Sequence, residues 1–122
     1  MSESVDFEGV SLSEQVVLAG VLELSYRGDT PAHAGEVRRA CNDAMESVES
    51  DALGTVTGAE VSRTLNELEA AGLVEGTRDE TTATGKGRPT YRLAVDGDTV
   101  RDHLADDERV APLADRLDSL GR

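Results

Sequence analysis

Apolar residues recur along the chain at helical spacing through most of its length. After Ser11-Leu12-Ser13-Glu14, which has the spacing of a capping box, Val17, Val21 and Leu24 follow at helical intervals until Gly28-Asp29 ends the pattern. A first helix is predicted over 12–27. Thr30-Pro31 then offers a cap and a first-turn proline for a second helix, in which Ala34, Val37, Cys41, Ala44 and Val48 share one face. Cys41 falls in that stripe, so a packed thiol is expected rather than a reactive one. The pattern lapses over "ESDALGTV" (49–56), a linker, and restarts in "TGAEVSRTLNELEAAGLV" (57–74). Thr57 and Glu60 have capping-box spacing, and Val61, Leu65, Leu68 and Gly72 fall within about 40° of one direction at ~100° per residue. That face is the predicted core side of a third helix.

The period then changes. "LVEGTR" (73–78) and "TYRLAV" (90–95) are short strand candidates joined by "DETTATGKGRP" (79–89), which is too polar and glycine-rich to be buried. Farther on, Asp98 is placed to cap a helix holding Val100 and Leu104, and Val110, Leu113, Leu117 and Leu120 recur at three- and four-residue steps, with Pro112 tolerated near the start. These last leucines either close over the core or form a dimer seam. The expected fold is mainly α with a small β-hairpin. Residues 1–10 form a flexible acidic N-terminus, 11–106 a winged helix-turn-helix domain, and 107–122 a C-terminal amphipathic helix, core-closing or dimerising.

The candidate site lies on the third helix and the hairpin. Opposite the apolar stripe the helix carries Ala59, Ser62, Arg63, Asn66 and Ala70, with Glu67 and Glu69 towards the flanks. Small residues permit close approach to a surface, while Arg and Asn are the side chains that pair bidentately with guanine and adenine in a major groove. An ordinary solvated face would show the same pattern, and the hairpin is what shifts the balance. Between Thr77 and Arg92 four basic residues (Arg78, Lys86, Arg88, Arg92) face two acidic ones (Asp79, Glu80). Three helices followed by a basic hairpin is the winged form of the helix-turn-helix. In this reading the backbone amides of Thr57, Gly58 and Ala59 meet phosphate, Ser62, Arg63 and Asn66 face base edges, and Lys86, Gly87, Arg88 and Arg92 anchor the wing. Arg38 and Arg39 on the second helix are further candidates for backbone contact. "GKGR" is no Walker loop, for it lacks the upstream glycine and the Ser or Thr after the lysine.

Charge at first opposes this reading. The net charge is -13, from 25 acidic and 12 basic residues, and a nucleic-acid footprint is ordinarily basic. Yet Lys86 is the one lysine among those basic residues, and the acids are spread over almost every segment. Such a surface resembles that of proteins from extreme halophiles, so the net charge reports the solvent more than the partner; the alternative is an acidic protein that avoids DNA. With three aromatic residues (Phe7, Tyr26, Tyr91) in 122, the core must be built from Leu, Val and Ala. No apolar run approaches a membrane span and no secretory leader is present, so a cytoplasmic protein is expected. Cys41, His33 and His103 lack zinc spacing, no nucleophile-base or carboxylate constellation stands out, and neither cofactor nor small-molecule substrate is expected.

The same residues carry a family resemblance. "AEVSRTLNELEAAGLVEG" with "GKGRPTYRLAV" and "VRDHLADDERV" resembles the carboxy-terminal winged-helix domain of the archaeal origin-recognition and cell-division-control initiators, over about Leu12 to Leu113. The resemblance implies binding of double-stranded DNA through a recognition helix and a wing. The family's ATPase module has no counterpart in these residues, so a stand-alone regulator or accessory factor is expected, without ATP hydrolysis. The other reading of the same fold is a protein-interaction module with no DNA affinity.

Overall fold

The structure, a computed structural model, describes residues 12–48, 57–77, 89–108 and 110–121. Its first helix, α1 (Leu12–Arg27), has the predicted bounds. Ser11 and the capping box it was to open lie outside the described residues. At the other end Gly28 takes φ 79, where a side chain would be strained. There its N–H donates to the Ser25 carbonyl at 3.1 Å and the Asp29 N–H to the Leu24 carbonyl at 2.8 Å, closing the helix. α1 is buried at every position from Gln15 to Leu24, because helices on several sides and a strand all pack on it. It is the axle of the fold rather than a one-sided surface helix.

The second helix, α2 (Ala34–Val48), begins later than the Thr30-Pro31 cap predicted. Ala32–His33 instead form a short strand, β1, paired antiparallel with Tyr91 and Thr90. The His33 N–H is taken by the Glu36 carboxylate at 2.9 Å, so a side chain three residues on closes the helix start and the proline is left outside it. Val37, Cys41 and Ala44 are buried as the stripe required, together with Ala40 and Met45. α1 and α2 meet at Gly20: a Cβ there would sit 2.5 Å from Cys41 Sγ and 3.3 Å from the Val37 carbonyl oxygen. Hydrogen is the only side chain that fits this crossing.

The third helix, α3 (Gly58–Ala70), starts on the predicted capping box. Glu60 N–H donates to Thr57 Oγ1 at 3.1 Å and Thr57 N–H to Glu60 Oε1 at 2.9 Å. Val61, Leu65 and Leu68 are buried, and so is Thr64, which the sequence did not single out. Gly72 corrects the stripe. It is exposed with φ 82 and ends the helix, its N–H reaching the Glu69 carbonyl, while Leu73 takes the buried place beyond it.

β2 (Val74–Thr77) and β3 (Thr90–Leu93) form the expected antiparallel hairpin, and β1 adds a third strand that the sequence reading lacked. Val74, Gly76, Tyr91 and Leu93 turn inward in this register, while Glu75 and Arg92 face each other on the solvent side. The fourth helix, α4 (Gly97–Ala105), is capped by Asp96 and not by Asp98: the Thr99 N–H donates to the Asp96 carboxylate at 3.2 Å. The last, α5 (Ala111–Gly121), has Pro112 in its first turn and packs on α1, α2 and α4. Val110, Leu113 and Leu117 are buried within the single chain, as core closure requires, while the side chain of Leu120 lies outside the described residues.

Candidate nucleic-acid interface

The surface that α3 turns to solvent is the one its pattern indicated. Ala59, Ser62, Arg63, Asn66 and Ala70 are all exposed, as are Glu67 and Glu69 on the flanks. The side chains of Ser62, Arg63 and Asn66 make no hydrogen bond or ion pair with a described residue. Among the described residues nothing takes their side-chain donors, and the helix that carries them is fixed from behind by Val61, Leu65 and Leu68. The first turn needs one correction. The Thr57 amide is not free, because the Glu60 carboxylate of the capping box takes it, whereas Gly58 and Ala59 keep the unbonded donors that begin every helix.

Packing of α2 against α3 adds a charge there. The Arg38 side chain lies alongside the first turn of α3, with Cδ 3.8 Å and Nε 3.9 Å from the place a Cβ on Gly58 would occupy. Arg38 was a candidate from its type alone. Its position beside the α3 N-terminus depends on how the two helices pack, which no local pattern encodes. Cationic Arg38 and the partial positive charge of the helix start reinforce one another in a chain that is otherwise strongly acidic.

The hairpin is legible only at its base. Lys86, Gly87 and Arg88, with Arg78, lie outside the described residues, so their part in the site rests on the sequence. Arg92 is described and is not a free anchor: Nε and Nη2 both donate to Glu75 Oε1, at 3.1 and 3.0 Å. Two further contacts fix the hairpin to the helical body. His33 Nδ1 lies 3.3 Å from the Pro89 carbonyl oxygen, and the Glu69 carboxylate leans on β2, 3.0 to 3.2 Å from where a Cβ on Gly76 would be.

Cys41 takes no part in this surface. It is buried, its Sγ reaches the Val16 carbonyl at 3.5 Å, and its pKa is pushed from an ordinary 9.0 up to about 12, chiefly by burial and secondarily by the charge of Glu23. The Gly20 backbone hydrogen bond opposes this only in part. The native protein should therefore resist iodoacetamide at pH 8 and react fully once unfolded in urea; rapid alkylation of the native form would contradict the packing. Because the folded state holds the thiol proton more tightly, this group's stabilising contribution is complete below about 9 and is lost as pH rises towards about 12.

Among the described residues no helix is long and apolar enough to cross a membrane. No family model and no curated protein sequence matches the chain. Its arrangement of helices and small sheet is similar to part of an archaeal protein solved bound to DNA. That protein is the ORC1 of Aeropyrum pernix, in complex with DNA, with a TM-score of 0.70 and 25% sequence identity across 84% of this chain. The chain spans 26% of the length of the ORC1 chain.

Proposed function

We propose that this chain is a non-catalytic, winged helix-turn-helix protein that binds double-stranded DNA. α3 is its recognition helix and the loop between β2 and β3 its wing. The observation that carries the reading is the outward display of Ser62, Arg63 and Asn66 on a capped, rigidly backed helix, in a fold shared with a DNA-bound initiator. Gly58, Ala59 and Arg38 supply phosphate contacts, Arg63 and Asn66 face base edges, and Lys86 and Arg88 hold the backbone through the wing. The likeness to ORC1 and the resemblance of the α3 and wing sequences to origin-recognition initiators favour a replication-initiator-like accessory role over transcriptional regulation. The sparse lysine and abundant acid fit a haloarchaeal cytoplasm, where concentrated salt screens the repulsion between this surface and DNA.

Binding to labelled genomic duplex fragments, followed by fluorescence anisotropy over a range of KCl, tests the proposal. Arg63→Ala or Asn66→Ala should each lose about 1 to 3 kcal/mol of specific binding and shift the preferred sequence, with the fold intact. Lys86→Ala with Arg88→Ala should weaken all duplexes alike and reduce the slope of log K against log salt by about 2. The two sets of variants thus separate specificity from affinity. No duplex binding at any KCl concentration would transfer the fold to the alternative role of a protein-interaction module.

A further inference from the structure

Arg92 and Glu75 stand directly opposite each other across β3 and β2, on the solvent face of the hairpin that carries the basic loop. Both side chains are about half exposed, at 56% and 55%, so neither is held by burial. What holds Arg92 is the grip of Nε and Nη2 on a single carboxylate oxygen, which occupies two of the guanidinium donors that would otherwise be offered to a phosphate. We propose that Glu75 is an intramolecular competitor for DNA phosphate: it occupies Arg92 at the wing base and so sets the affinity and salt dependence of the wing. The inference rests on the DNA-binding reading.

The physical case is one of exchange. With the pair closed, the paired positions of the hairpin stem contribute no net charge, and the local positive excess lies in the loop. A phosphate arriving at the stem replaces one anionic oxygen on Arg92 by another and leaves the Glu75 carboxylate facing the DNA, so the contact gains little. An exposed pair of this kind is weak and screened by salt, which makes the exchange accessible rather than forbidden. Removing the Glu75 charge while keeping its shape would give the whole of Arg92 to the phosphate.

The test is a double-mutant cycle read by anisotropy on one duplex over a KCl series, with Glu75→Gln, Arg92→Ala and the double variant beside the parent. Glu75→Gln should bind every duplex about two- to fivefold more tightly, the worth of an exposed pair, and steepen the salt slope by about one phosphate. In the Arg92→Ala background the same substitution should give no gain. Glu75→Thr, a residue suited to an exposed strand position, repeats the measurement should the amide disturb the hairpin. Unchanged or weaker binding in both Glu75 variants would overturn the proposal. An equal gain without Arg92 would overturn it too, because Glu75 would then merely repel DNA. A parent that binds no duplex at any KCl concentration removes the DNA reading and this inference with it, whereas a binding parent with an indifferent Glu75 removes the inference alone.

Discussion

Leu65→Ala should lower the free energy of unfolding by about 2 to 5 kcal/mol, and Leu68→Ala by a similar amount. Both side chains are closed to solvent, at 0% and 1% exposure, on the face by which α3 packs against α1 and α2. Truncation removes the transfer energy of the buried methyl groups and leaves a cavity where α3 packs on α1 and α2. Urea melts of the two variants beside the parent measure the loss, and the informative comparison is with Arg63→Ala and Asn66→Ala. Those residues are exposed on the opposite face and should leave the melting midpoint near that of the parent while changing DNA binding. Near-neutral melts for both leucine variants would mean that α3 is turned about its axis and that the display of Arg63 and Asn66 is misplaced.

What the sequence revealed tracks how local the cause was. The C-terminal end of α1 was readable because Gly28 and Asp29 close it through bonds to Ser25 and Leu24, three and five positions back. α3 was readable because Thr57 and Glu60 cap it reciprocally and its apolar residues keep one phase. Features set by distant partners were not readable. The all-round burial of α1 comes from helices far along the chain, so its periodicity suggested one apolar face while Gln15 and Glu23 lie inside. β1 exists because two residues find β3 almost sixty positions on, and that pairing moved the start of α2 past Pro31. Asp96 and Asp98 are equally good caps by type. The choice between them goes with Gly97, where a Cβ would sit 3.0 Å from Leu22 Cδ1 and the helix start must therefore pass close to α1. At the candidate site, the exposed residues of α3 were legible, the engagement of the Thr57 amide was implicit in the capping box, and the capture of Arg92 by Glu75 required a strand register that the intervening loop does not specify.

Glu23 supports the second large expectation. Its carboxylate is 1% exposed and lies between two guanidinium groups, Arg27 at 2.7 Å one turn along α1 and Arg116 reaching in from α5. Arg116→Ala should cost about 3 kcal/mol, the lower end of the range for breaking a buried pair, because Arg27 remains beside the carboxylate but has 47% of its own side chain in water. Gln15, also buried, donates to Asp107 at 3.0 Å, so polar contacts from α1 hold both α5 and the turn that leads towards it. The alternative, that these charges add nothing beyond what packing supplies, is separated by a second variant, Glu23→Leu combined with Arg116→Met. Exchanging the charged pair for apolar residues of similar size should leave stability near that of the parent or above it, since it removes the desolvation cost along with the attraction. Urea melts that show the single variant strongly destabilised and the double variant restored would establish that α5 is seated on α1 by a charge which cannot be left alone. Equal, small effects in both would mean that Val110, Leu113 and Leu117 hold α5 without it.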